Sequence, residues 1–392
     1  MMNFPLPEPV FECISTIEAR GYEAWVVGGC VRDMTLKKTP IDYDAASSAP
    51  PNQLVNMFKR VIETGIKHGT VTVLINKMPI EVTQFRIDGE YIDHRRPSAT
   101  IATDNLEMDL SRRDFTINAM AYHPERGIAD PFCGQKDIEN RIIKAVGEPE
   151  RRFNEDALRI MRAFRFSCQL DFGIEKETEK KALELSPLLK KISAERVFSE
   201  LIKALISENP SNMESLIRIG GLSFAGIDYS APLSALKIVP NTREMRFAAF
   251  CFLCKSDSDE VCERLKTDKK LKIISNKIIS LLNKPLFKKS SDIKRAFTVL
   301  EPEWMVDFLH TRNALFDENV ETQIELVNKI LKENQAWKTE MLEIKGKDLE
   351  EIGIFDKKIG DILNKLLAMV IENPALNTHE KLINLAKTLI NE

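Results

Sequence analysis

No stretch of this 392-residue chain approaches the ~20 consecutive apolar residues that a membrane-spanning helix needs. The opening MMNFPLPEPVFE lacks the basic start and apolar run of a secretory leader, so the cytoplasm is the expected compartment. Seven cysteines, an odd number without framework spacing, argue against a disulfide scaffold and for reduced thiols. Cys251 and Cys254 make a C-x-x-C, but no second ligand pair stands nearby and the surroundings are apolar. Buried thiols are expected there rather than a zinc site. None of the five histidines (His68, His94, His123, His310, His379) is followed by aspartate, which argues against a phosphohydrolase domain of the His-Asp kind. There is no tandem repeat or low-complexity tract, and a net charge of −3 gives no global attraction to nucleic acid.

What is present is ordinary in bulk and specific in detail. Hydrophobic residues make up 43% and charged residues 29%, a globular composition, and the length allows two or more domains. Charge is uneven: Val261 to Arg295 carries eleven Lys or Arg against three Asp or Glu. Such a patch suits phosphate contacts, and a solvated helix face explains it equally well.

The chain is organised around Trp25 to Asp44, WVVGGCVRDMTLKKTPIDYD. It reads as a buried strand from Ala24 to Val27, a Gly28-Gly29 turn, a helix start with Arg32 and Asp33, and a strand holding Asp42 and Asp44. Glycines between strand and helix let backbone N–H groups approach a phosphate, and Arg32 adds positive field. Asp42 and Asp44 flank one residue, so a strand's two-residue period points both carboxylates to one side. They repel unless a divalent cation sits between them, and hard oxygen ligands suit Mg²⁺ completed by substrate phosphates. The pattern points to metal-dependent phosphoryl or nucleotidyl transfer. GG-x-x-RD followed by D-x-D resembles the first motif of the polymerase-β-like nucleotidyltransferase superfamily.

Further along, Thr70 to Ile75 and Ile80 to Phe85 read as a hairpin about Asn76 to Pro79. Glu81 falls near the start of its second strand. Arg86 to Thr100, RIDGEYIDHRRPSAT, is polar and charged and reads as a mobile, functional loop. In LSRRDFTINAMAY, Arg113 is suited to clamp a triphosphate bidentately, and Asp114 and Asn118 to hydrogen-bond a ribose hydroxyl.

After Asp130-Pro131-Phe132 the pattern turns helical to the end. Phe153 to Ser167, FNEDALRIMRAFRFS, reads as one helix with Asn154 as N-cap. Asp156 and Arg159 are then neighbours on one face, with Arg162 and Arg165 following. An i,i+3 ion pair is the plain reading. The sharper one is base selection: cytosine and adenine each offer an amino donor beside a ring-nitrogen acceptor, which an Asp and an Arg complement. Guanine and uracil present the reverse polarity, and a good bidentate pair is worth about 1–3 kcal/mol per wrong base. Such a pair accepts CTP and ATP and refuses UTP and GTP without a template. Towards the C-terminus, Asp348 in EIKGKDLEE is expected as a helix N-cap.

Taken together, GGCVRD with TPIDYD, EVTQFRIDGEYIDHRRP, RRDFTINAMAY, DPFCGQKDI and RFNEDALRIMRAFRF resemble the ordered motifs of class II tRNA nucleotidyltransferases, the CCA-adding enzymes. The tail IKGKDLEEIGIFDKKIGDILNKLL is similar to that of the single-chain bacterial members. The resemblance implies an α+β fold: a mixed-sheet nucleotidyltransferase head (1–145), then an all-α neck with the nucleotide-recognition helix (146–206), body (207–335) and tRNA-binding tail (336–392), in a seahorse-like arrangement. It implies Mg²⁺ on Asp42 and Asp44, with Glu81 as supporting carboxylate. Gly28, Gly29, Arg32 and Arg113 would contact the nucleotide. Asp156, Arg159, Arg162 and Arg165 would form the recognition helix with Glu155 in support. The implied partners are tRNA, CTP and ATP, with no membrane, as a monomer or homodimer. An enzyme adding only A, a poly(A) polymerase, and a non-catalytic RNA-binding protein on the same fold are the rival readings. Lys37 to Pro40 and Ala45 to Ser48 depart from the common family sequence, at positions that carry none of the proposed chemistry.

Overall fold

The computed structural model describes residues 4–66, 69–89, 91–92, 96–97 and 100–390. The chain divides into two compact units, Met1–Tyr229 with Arg264–Lys266, and Ser230–Glu263 with Thr267–Glu392. Among the described residues no helix is long and apolar enough to cross a membrane.

The first unit opens with α1 (Glu8–Glu18), whose Val10, Cys13, Ile14 and Ile17 recur at helical spacing and are all buried. They cover one face of a seven-stranded sheet. Its strands are β1 (Ala24–Val27), β2 (Tyr43–Ser47), β3 (Val61–Gly65), β4 (Thr70–Ile75), β5 (Met78–Gln84) and two short strands, Ala121–His123 and Gly127–Ala129. From one edge the order is Gly127–Ala129, Ala121–His123, β1, β2, β5, β4, β3. Neighbours are antiparallel except β2 and β5, which run parallel, so the sheet is mixed. The two-residue period sorts β1 between two cores. Val26 joins the cluster under α1, while Trp25 and Val27 join a smaller one with Ala46, Phe85, Leu110 and Ala121.

The hairpin is tighter than the sequence suggests. Met78 already belongs to β5, and the turn is Asn76-Lys77 alone, both with positive φ (49° and 69°), the form that matches strand twist. β2 begins at Tyr43, so Asp42 lies on the bend before the strand rather than within it. The expected loop from Arg86 to Thr100 is instead an arm of paired strands. Arg86–Asp88 runs antiparallel to Thr100–Ala102, and Tyr91–Ile92 to Arg96–Pro97. Residues 90, 93–95 and 98–99 of that segment lie outside the described residues.

Helices α2 (Gly29–Thr35), α3 (Pro51–Met57), α4 (Leu106–Ser111) and α5 (Gly134–Glu139) complete the sheet region. Beyond it the chain is helical apart from a short parallel ladder of Ile142–Ile143 with Gly173–Ile174. The helix expected over 153–167 is two helices, α6 (Pro149–Glu155) and α7 (Leu158–Leu170). They break at Asp156, whose backbone is extended (φ −139°, ψ 103°). Asn154 is therefore no N-cap; it lies inside α6, and its side-chain amide donates to the Glu150 carbonyl (2.9 Å). α8 (Lys176–Glu184) and α9 (Ala194–Leu205) follow, and Ala163 and Phe166 of α7 share the core of the sheet.

The second unit is a set of helices that includes Arg243–Cys254, Lys269–Leu282, Met305–Phe316 and Lys357–Glu372. Cys251 and Cys254 are buried, as expected of core thiols. Four cations of the basic stretch are paired with carboxylates within the unit. Lys272 pairs with Asp259 and Glu263, Lys277 with Glu301, and Lys289 and Arg295 with Glu372. Asp348 is not the N-cap of the helix Gly346–Glu350 but its third residue, and its carboxylate accepts from the Lys345 backbone N–H (2.5 Å).

Candidate functional site

Gly28 follows β1 with φ 78° and ψ −132°, a backbone that costs any other residue strain. A Cβ there would also stand 2.8 Å from Arg113 Nη1 and would have to displace that guanidinium. In the sheet Val27 pairs with Asp44, and Asp44 with Glu81. The glycine turn and two carboxylates are thus aligned across three adjacent strands.

Above this line lies a cavity of about 430 Å³, entirely within the first unit. Gly28, Gly29, Arg32, Asp42, Asp44, Arg113, Asp114, Asn118, Asp156, Arg159 and Arg162 all line it. Two predicted residues do not. Glu81 stands beside Asp44 in the ladder, and Arg165 turns into a buried ion pair with Glu200 and donates to Gln169 Oε1 (2.6 Å). Although Asp44 opens onto the cavity, burial and then repulsion from Glu81 and Asp42 push its carboxyl up to about 6, with Arg113 opposing the rise. Among the described residues no three His, Cys, Asp or Glu are grouped so as to hold a metal ion by themselves. Two acidic oxygen donors on one wall fit a hard divalent cation whose remaining ligands come from a phosphorylated substrate.

The other walls are cationic and tied together. Arg32 donates to Asp33 through Nε (2.9 Å) and Nη2 (2.7 Å), and through Nη1 to Asn118 Oδ1 (2.8 Å). Asn118 donates to Asp114 Oδ1 (3.1 Å), and Asp114 Oδ2 accepts from Arg162 Nε (2.7 Å). This chain links the glycine turn to α7. Burial alone would raise the Asp114 carboxyl, but the Arg162 charge and the Asn118 and Arg162 hydrogen bonds outweigh it and hold the group at about 2. With the folded value below the ordinary 3.8, the stabilisation is complete above about pH 4 and is lost as pH falls towards 2. The stability advantage of the native protein over an Asp114→Asn variant should therefore shrink by about 2 kcal/mol across that window in acid-unfolding curves. A constant difference would contradict the pairing.

The Asp156–Arg159 ion pair of the plain reading does not form. Asp156 instead accepts from the Leu158 N–H at the start of α7 (3.0 Å) and from Arg196 Nη2 (3.1 Å). Arg159 is held by Glu155 (2.9 Å) and by the Arg112 carbonyl (2.9 Å). Glu155 also pairs with Arg152 (2.7 Å). Held from behind by separate partners, Asp156 and Arg159 keep free lone pairs and N–H groups for the cavity. The helix break at Asp156 creates this arrangement.

Sequence reasoning did not single out Arg112, Leu158, Phe166 or Arg196, all of which line the cavity. The guanidinium groups of Arg32 and Arg162 each lie 5.2 Å from the centre of the Phe166 ring. Arg112 was visible in the R-R-D triplet. Arg196 lies 40 residues from its partner Asp156, and no local pattern marks it.

Comparison with known proteins yields two family matches: a Poly A polymerase head domain over residues 24–144, and a probable RNA and SrmB-binding site of polymerase A over residues 171–222. A CCA-adding enzyme of Leuconostoc mesenteroides is 35% identical over 392 aligned residues, covering 97% of this chain and 96% of that one. A CCA-adding enzyme of Streptococcus gordonii is 47% identical over 217 residues, 55% of this chain. In that and other streptococcal relatives the matched stretch spans only about half of the relative's length. Among solved structures, the Bacillus stearothermophilus CCA-adding enzyme in complex with CTP superposes with a TM-score of 0.84 at 28% identity, covering 98% of both chains.

Proposed function

The chain belongs to the family of CCA-adding enzymes, and from that premise we propose that it adds C, C and A to tRNA 3′ ends from CTP and ATP, without a template and with release of pyrophosphate. One observation carries the reading. A single cavity of about 430 Å³ is lined by a carboxylate pair, cationic groups beside a glycine turn, and an Asp–Arg couple.

Asp42 and Asp44 would hold a divalent cation, Mg²⁺ in this reading, with Glu81 adding negative charge behind them. Bound there, the ion would supply Lewis-acid polarisation of the α-phosphate. Gly28 and Gly29 allow the triphosphate to approach the backbone. Arg113 clamps the triphosphate, and Arg32 takes the charge that develops on pyrophosphate as the tRNA 3′-hydroxyl attacks in line. Asn118 and Asp114 would hydrogen-bond a ribose hydroxyl. Asp156 accepts the base amino group, and Arg159 donates to the ring nitrogen. Arg162 holds Asp114, and Arg165 acts at one remove by fixing α7 to α9 through Glu200. We place the catalytic head at 1–145, the neck at 146–206, the body at 207–335 and the tRNA-binding tail at 336–392, in a cytoplasmic protein.

The test is incorporation of labelled CTP and ATP onto tRNA transcripts lacking all three terminal nucleotides, the last two, or the last one. Ordered addition of C, C and A, stopping there, is expected. Addition of A alone to the transcript ending in CC would instead make this an A-adding enzyme. Long A tracts would make it a poly(A) polymerase, and no incorporation would leave an RNA-binding protein.

A further inference from the structure

Asp109 on α4 has a side chain wholly removed from water and does not line the cavity. A carboxylate so placed needs donors to match it. Its Oδ1 accepts from Arg112 Nε (3.0 Å) and Nη2 (2.7 Å), and its Oδ2 from Arg113 Nη2 (3.3 Å). Oδ1 also accepts from the Arg86 backbone N–H (3.3 Å), where the paired arm leaves the sheet. One buried carboxylate thus grips both arginines that follow α4 and the first residue of the arm.

Those arginines are directed rather than neutralised. Arg113 Nη1 approaches Gly28, and Arg113 Nε is buried without a hydrogen-bond partner among the described residues. The Arg112 carbonyl in turn accepts from Arg159 Nη2 (2.9 Å). Without Asp109 the two adjacent cations would repel each other, and their long side chains would regain rotamer freedom. Both effects would carry Arg113 away from the glycine turn.

We propose that Asp109 is a positioning residue for nucleotide binding, acting through Arg113 and resting on the nucleotidyl-transfer reading above. It preorganises the cationic wall before substrate arrives, so it sets affinity for CTP and ATP more than the rate of the chemical step.

The experiment is a double-mutant cycle of Asp109→Asn and Arg113→Ala, with KM for CTP and ATP and kcat measured on tRNA transcripts, and thermal unfolding recorded for each protein. Asp109→Asn should raise both KM values about tenfold, the size of one charge-assisted hydrogen bond, with kcat nearly unchanged. In the Arg113→Ala background the same change should add less than about twofold, because coupled residues are not additive. Asp109→Glu, which keeps the charge, should recover most of the affinity and serves as the probe if Asp109→Asn does not fold. Equal losses in both backgrounds, or a fall in kcat at unchanged KM, would overturn the proposal. A native protein that incorporates neither CTP nor ATP would instead remove the reading beneath it.

Discussion

Replacing Asp42 with alanine is expected to lower nucleotide incorporation by about 10³-fold or more, the scale of several kcal/mol lost from transition-state stabilisation. The fold should be indifferent to the change. Asp42 sits on an exposed bend before β2, outside every core cluster. Surface substitutions of that kind shift stability by no more than about 0.5 kcal/mol. Incorporation and thermal unfolding measured together check both halves. Turnover retained in a folded Asp42→Ala protein would remove the carboxylate pair from the chemistry.

The second large effect concerns choice of base. Arg159→Ala should reduce the kcat/KM preference for CTP over UTP, and for ATP over GTP, by about 10- to 100-fold, the worth of one bidentate reading contact. Overall incorporation should fall less steeply than with Asp42→Ala. The packing allows this separation, since Glu155 keeps Arg151 and Arg152 as partners and Asp156 keeps Arg196 when Arg159 is truncated. The check is competition between correct and incorrect nucleotides on one transcript. Unchanged preference would mean that α7 supports the cavity without reading the base.

How much of this was legible in the sequence follows from the range over which each feature is determined. The glycine turn, the Asp pair and the R-R-D triplet are local chemistry, and the cavity contains them all. The alternating hydrophobic period likewise gave the β4–β5 hairpin, because burial of alternate residues is a local signature. The break between α6 and α7 was not legible. FNEDALRIMRAFRFS is a continuous helical pattern, and the extended backbone at Asp156 is held by its bond to Arg196 on another helix. Tertiary structure overrides propensity there, and it does so at the residue proposed to read the base. The same holds for Arg165, whose helical spacing suggests a place beside Arg162 but whose charge is met by Glu200, 35 residues away. The second unit shows the converse. A stretch rich in Lys and Arg suits phosphate contacts and a solvated helix face equally well, and Lys272, Lys277, Lys289 and Arg295 are each met by a carboxylate that no local pattern could assign.

The central claim is that the protein cavity itself, with no nucleic-acid template, distinguishes cytosine and adenine from uracil and guanine. Equilibrium binding of CTP, ATP, UTP and GTP to the native chain in the absence of RNA tests it most directly. CTP and ATP should bind tighter than UTP and GTP by about tenfold or more, and Arg159→Ala should erase most of the difference. Equal affinity for all four nucleotides in the native protein would contradict it, and would move base selection from Asp156 and Arg159 to the RNA-bound state.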